Sequence, residues 1–239
     1  MSRRDGGIVR LSAIALYGAW LGIAVAADNP EDALNGLWAP TASAGRPLLD
    51  SQGVMPPLRP AARALYQQRR AQLARGDTSF DLSVKCKPMG FPRVLWDGGP
   101  FDIQIQPKLV FLGYTWNRNH RTADIGSGAP VPQIPRYYGT SLAHWDGDAL
   151  IVESAGFKDT TLLDSSGLPH SDQLTISERY IPDAAGTHLE VRLRLTDPVY
   201  YQRPWDVALQ FHKVPDGRIQ EDVCEQHAAF YRGLFPGND

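Results

Sequence analysis

"FDIQIQPKLVFLGYTW" (Phe101–Trp116) is the stretch whose reading decides the fold. Phe101, Ile103 and Ile105 alternate with Asp102, Gln104 and Gln106, the period of a strand with one apolar and one polar face. Pro107 interrupts the run and "KLVFLGYTW" follows as a second strand. Working outward, "TSLAHW" and "ALIVES" flank Asp146-Gly147, a strong hairpin signal. "QLTISERYI" and "HLEVRLRLT" flank "PDAAGT", and "WDVALQFHKV" and "RIQEDVCEQ" flank "PDG", which predict two more hairpins. In "WDVALQFHKV", Trp205, Val207, Leu209 and Phe211 share one face, with Asp206, Gln210 and His212 opposite. Eight or nine strands joined by tight turns predict a mainly β fold, an antiparallel meander closing into a barrel or half-barrel, lipocalin-like in outline. Closure protects the sheet edges and creates an interior.

The flanks divide the chain into three stretches. Arg3, Arg4 and Arg10 precede the apolar run "LSAIALYGAWLGIAVAA" (Leu11–Ala27), which ends in small residues. Residues 1–27 therefore read as a signal peptide, and the protein as exported, periplasmic or secreted. A retained anchor is the competing reading. It is disfavoured because the run falls short of a ~20-residue span, so no stable membrane anchor is expected once the signal is removed. Residues 28–83 read as an extended lead-in, anchored by Leu37 and Trp38, followed by a surface helix in "LRPAARALYQQRRAQLARGD". There Pro60 suits a first helical position and Gly76 a stop. Residues 84–239 read as the β domain, forming one globular unit with 28–83, and "AAFYRGLF" as a short C-terminal helix.

Composition narrows the function classes. The chain has 239 residues and a formal charge of -2, so it lacks the basic face a nucleic acid demands. Cys86 and Cys224 are the only thiols, and in an oxidising compartment they most simply form one disulfide, joining the start of the β region to its last strand. A zinc site is the weaker alternative, since neither lies in a CxxC or beside a His at ligand spacing. GxGxxG, P-loop, HExxH and G-x-S-x-G patterns are missing, so no cofactor and no resident metal are expected.

The candidate chemistry gathers at "LLDSSGLPHSDQLTISERY" (Leu162–Tyr180). Were the strand already under way at His170, then His170, Asp172 and Glu178 would share a face and serve as base, orienter and acid. Equally, Pro169–Asp172 can be turn punctuation, with Ser171 or Asp172 binding nearby backbone. Tyr138 is a candidate stabiliser of developing negative charge. Tyr137 could line a pocket mouth, and Arg118 and Arg121, with His120 between them, could bind a carboxylate or phenolate. Gln104 lies on a polar strand face that is either a wet lumen or plain exterior. Asp159 and Asp164 read as turn caps.

Five segments carry a family resemblance: "CKPMGFPR", "PFDIQIQP", "WDGDALIVESAGFKDTTLLDSSGLPHSDQLTISERY", "DPVYYQRPW" and "EDVCEQ". Over roughly residues 84–226 the chain resembles a large family of uncharacterised exported bacterial proteins. That family shows W-[DE]-G-D-x-L-x-V, P-H-S-[DE] and E-R-[FY] segments and two similarly placed cysteines. "WNRNHRTADIGSGAPVP" departs from the family's D-G-R-x-H-P, so the His of that pattern has no counterpart here. The resemblance implies an exported, disulfide-bearing β domain and supplies no reaction. The residues themselves predict a cofactor-independent lyase or isomerase that abstracts a proton from a small aromatic or apolar molecule, as in the catabolism of aromatic compounds. A non-catalytic small-molecule binding protein and a metal-assisted hydrolase are the alternatives.

Overall fold

The computed structural model describes residues 29–41, 47–126 and 131–224, so the signal peptide expected over residues 1–27 and the helix expected at "AAFYRGLF" lie outside the described residues. Nine strands close into a barrel in sequence order: β1 Gly36–Pro40, β2 Phe101–Gln106, β3 Leu109–Tyr114, β4 His120–Ile125, β5 Thr140–Asp146, β6 Ala149–Ala155, β7 Thr175–Pro182, β8 His188–Thr196 and β9 Trp205–Lys213. The alternation seen in the sequence partitions inside from outside. Phe101, Ile103, Trp205, Val207 and Phe211 are buried, whereas Gln104, Asp206 and Gln210 are exposed. The lumen is filled by such side chains, for example Trp38 of β1, Val110 and Leu112 of β3, and Val191 and Leu193 of β8.

The structure bears out the mainly β fold and the meander closing into a barrel, and two details of the expectation need correction. The lead-in is not merely extended: after the short helix α1 (Pro30–Leu34) it supplies β1, which pairs with β2 and β9 and closes the barrel. "GLWAP" is too short and too Pro-bounded to announce itself as a strand. Next, "RIQEDVCEQ" forms no strand over its described residues, because the free edge of β9 is already taken by β1. Cys224 therefore ties a trailing segment, not a last strand, to Cys86. Within the barrel one neighbouring pair of strands runs parallel. A ring of nine strands cannot alternate direction throughout, and the parallel pair is β4–β5, two strands joined in sequence by residues 126–139.

One end of the barrel carries most of the irregular chain. There the connections 156–174 and 197–204 lie over the strand ends, along with residues 87–97, which contain α3 (Val94–Asp97). Met89, Phe91, Leu95, Phe157, Leu163 and Leu168 are buried in these segments and close the end with an apolar plug. Helix α2 (Pro60–Leu73) buries only Ala62, as a surface helix should. The disulfide Cys86–Cys224, Cα–Cα 5.4 Å, pins the trailing segment beside the same end. Asn117 adds to that hold: its backbone N–H donates to Asp222 Oδ2 at 2.9 Å and its Oδ1 accepts from Cys224 N at 3.4 Å. Among the described residues no helix is long and apolar enough to cross a membrane.

Candidate functional site

Beneath the plug, the inward positions of β3 to β7 turn polar. Arg121 lies inward because His120 and Thr122 on either side of it face out. Its guanidinium forms a bidentate pair with Glu178, Nη1–Oε1 at 2.7 Å and Nη2 to Oε2, in a site where Glu178 is 0% exposed. Nε donates to Tyr114 Oη at 2.8 Å, and the remaining N–H groups reach Ser154 Oγ (3.1 Å) and Tyr180 Oη (3.1 Å). Glu178 in turn accepts from Ser154 Oγ at 2.9 Å and Tyr180 Oη at 2.7 Å. The Phe91 ring covers the guanidinium, its centroid 3.9 Å from Cζ. Burial opposes the Arg121 charge, but Glu178, Tyr114 and Tyr180 outweigh it and raise the guanidinium's pKa well above its ordinary value. Every N–H of Arg121 is spent, and the carboxylate holds four donors.

Beside this saturated pair are two phenols that are not saturated. Tyr138, 8% exposed, stands 5.8 Å from Tyr114, ring centroid to centroid. Its hydroxyl is buried with no hydrogen-bond partner among the described residues. Tyr114 Oη accepts from Arg121 Nε, and no described residue accepts the Tyr114 proton. Burial pushes Tyr114 up to about 12 and drives Tyr138 upward too, so both are protonated donors near neutral pH. A buried donor without an acceptor costs about 1–3 kcal/mol, and an ordered water or the acceptor atom of a ligand would relieve that cost.

The "PHSD" segment has a different fate. β7 begins at Thr175, so His170 and Asp172 precede the strand and do not share a face with Glu178. His170 is buried while Asp172 is exposed to solvent, so the proposed base and its orienter are separated. His170 Nδ1–H donates to Ser171 O at 2.9 Å, which leaves Nε2 to accept from Thr161 Oγ1 at 2.8 Å. Burial lowers its pKa against the pull of Ser171 O and Asp197, so the ring is neutral. Gly90 (φ +91°) lies directly on Thr161, where a Cβ would stand 2.4 Å from Thr161 Cβ, and His170 and Thr161 are 1% and 3% exposed. Its neighbours are equally committed. Ser171 N and Oγ donate to Asp197 at 2.7 and 2.8 Å, and Tyr201 Oη donates to Pro169 O at 2.7 Å. "PHSD" is therefore a docked turn. Asp164 does cap its turn, accepting from Ser166 N and Leu168 N, and it also holds Leu48 N at 2.7 Å.

The remaining predicted residues disperse. Arg118 lies in a surface turn, its side chain 61% exposed and 3.6 Å from Glu221, so it forms no basic patch with the buried Arg121. His120 faces outward, stacked on Phe111 at 5.5 Å. Gln104 is on the outer wall, donating to Asp102, which settles that face as exterior. Tyr137 is half-buried under Lys158 Nζ at 4.5 Å. Sequence reasoning missed Tyr114, Tyr180, Ser141 and Ser154. The signal for them was a polar side chain on an inward strand position, readable once the phase of each strand is known.

The described residues contain no group of three or more His, Cys, Asp or Glu placed to hold a metal ion. No protein-family model, no curated protein and no solved structure matches the chain.

Proposed function

We propose that the protein is exported to the periplasm after loss of residues 1–27 and binds a small aromatic or apolar molecule at the plugged end of its barrel, without turning it over. The observation that carries this reading is the pair of unspent phenol donors, Tyr138 and Tyr114, backed by Arg121–Glu178. Two O–H groups beside an apolar plug suit an aromatic body bearing an acceptor oxygen, such as an aryl ketone. The signal-like N-terminus supports export, and so does the disulfide, a bond that persists in oxidising compartments.

Binding is favoured over proton abstraction because no described base is free beside the donors. Glu178 is held by four donors, and both nitrogens of His170 are engaged. A second reading rests on the same phenols. Two donors on one carbonyl oxygen also stabilise an enolate, the arrangement a lyase or isomerase uses.

The test is titration of the mature protein with 4-hydroxyacetophenone and with 4-ethylphenol, which lacks the carbonyl, read by tryptophan fluorescence. The ketone is expected to bind saturably and more tightly, and Tyr138→Phe to weaken it about fivefold, the worth of one neutral hydrogen bond. Absence of saturable binding by either compound sinks the reading. Proton NMR in D₂O separates the two versions: deuterium entering the ketone methyl group faster with protein than without would establish the enolising enzyme.

A further inference from the structure

Outside the barrel lies a second concavity that owes nothing to the phenol pair. It is a groove of about 310 Å³ between the chain around Met55–Leu58 and the first turns of α2. Its apolar side is Met55, Pro56 and Leu58; its polar side is Arg63, Tyr66 and Gln67. That volume is at the lower bound of roughly 300–1,000 Å³ for small-molecule sites.

Both walls are fixed before any ligand arrives. Leu58 forms a β-bridge with Tyr201, Gln202 N donates to Pro57 O at 2.9 Å, and Arg59 Nε donates to Tyr201 O at 3.1 Å. Across the groove, Tyr66 Oη meets Ser166 Oγ at 3.0 Å and Arg69 Nη1 donates to Gly167 O at 3.2 Å. A site held open in this way loses little entropy on binding.

The charge is one-sided. Helix α2 reads "PAARALYQQRRAQL", with three arginines and no acid. Arg69 donates to Gly167 O and lies over the Phe80 ring, whereas Arg63 makes no ion pair and no side-chain hydrogen bond among the described residues. Arg70, two turns along, extends the same stripe. Meanwhile Met55 is 39% exposed, an apolar surface left in contact with water.

We infer that this groove binds a small amphipathic monocarboxylate, its apolar body against Met55–Leu58 and its carboxylate on Arg63. The guanidinium offers a planar fork matched to a carboxylate, and the apolar wall sets the occupant's other end. A molecule-sized hollow with fixed walls favours a soluble organic acid over a lipid surface, which asks for protruding apolar residues.

The experiment titrates the full mature protein with 2-naphthoate and with its neutral counterpart 2-naphthylmethanol, followed by ¹H–¹⁵N chemical shifts. Naphthoate is expected to bind saturably and to shift amides of residues 55–70. Arg63→Gln should weaken it about tenfold while leaving naphthylmethanol unchanged, since charge-assisted hydrogen bonds are worth roughly twice neutral ones. Met55→Asp, which places a carboxylate on the apolar wall, should abolish naphthoate binding. Both positions are exposed, so both variants fold. Failure to saturate overturns the inference, and so does an affinity indifferent to both substitutions or to added anionic phosphatidylglycerol vesicles replacing naphthoate as the preferred occupant. Shifts confined to Tyr114 and Tyr138 would instead assign the acid to the barrel end, leaving that reading standing and this one refuted.

Discussion

Replacing Glu178 by Leu is the sharpest perturbation of this fold. It would leave the Arg121 guanidinium, 4% exposed, inside the barrel with its carboxylate gone and only hydroxyls for company. Breaking a buried pair from one side costs about 3–5 kcal/mol, because the surviving charge is neither hydrated nor matched. For a domain of this size each kcal/mol moves Tm by about 2–4 °C, so the expected drop is roughly 6–20 °C. Arg121→Met should cost a similar amount, since it strands the carboxylate with Ser154 and Tyr180 as its only donors. The double variant Arg121→Met/Glu178→Leu removes both charges at once. What remains is the loss of partners for the Tyr114, Ser154 and Tyr180 hydroxyls, a loss the single variants share in part, and no unpaired charge stays buried, so the double variant should be more stable than either single one. Urea denaturation of the oxidised protein, followed by tryptophan fluorescence, measures all four stabilities in one cycle. Singles costing under about 1 kcal/mol, or a double variant that loses the sum of the two, would refute the argument that this pair is desolvated and mutually dependent.

Three further outcomes can be checked on the same material. Tyr114 is raised to about 12 in the folded protein, so the folded state keeps its proton after the unfolded chain has lost it; stability is intact below pH 10 and falls between pH 10 and 12. The stability advantage of wild type over Tyr114→Phe should therefore shrink by about 2–3 kcal/mol across that window, and a constant difference would contradict it. His170 is depressed below 6.5, so its contribution is present above that pH and is lost as the pH falls, when the unfolded chain gains a proton that the buried ring refuses. His170→Gln should flatten the acid limb of stability against pH, and an unchanged limb would show that other groups govern it. The Cys86–Cys224 bridge spans a sequence separation of 138, worth up to ~5 kcal/mol in the chain-entropy model. Melting with and without reductant should reveal it, and coincident curves would mean that Asn117 and its partners hold the trailing segment unaided.

The in-and-out assignment was legible wherever alternation was strict, as in Phe101–Gln106 and Trp205–Lys213, because a strand's period of two converts directly into faces. β1 was not, since five residues ending in proline carry no period, and the parallel β4–β5 junction follows only from the strand count that β1 completes. The site was half legible. Glu178, Arg121 and Tyr138 could be named as polar residues in or near strands, and the structure brings them to the same end of the barrel. Their roles could not be named. Partner identity is non-local: Arg121 and Glu178 lie 57 positions apart, and Ser171 meets Asp197 across 26. A short motif shows which groups are present and hides which are already spent. His170 is the instructive case, an imidazole with every appearance of a base and both nitrogens occupied.

That distinction between spent and unspent groups also predicts how binding should respond to pH. If Tyr138 and Tyr114 supply the recognition, the relevant protons stay bound throughout the neutral range, because burial has raised both phenols. Affinity for 4-hydroxyacetophenone should then be level from about pH 5 to pH 8, up to the ketone's own ionisation. A site operated by an imidazole would instead change near the ordinary histidine value of about 6.5. The measurement is a set of fluorescence titrations at fixed ionic strength, repeated with Tyr138→Phe. A level profile whose height drops in the variant ties recognition to a protonated phenol. An inflection near neutrality that His170→Gln abolishes would return the chemistry to the turn at Pro169–Asp172, and with it the idea that this barrel transforms what it holds.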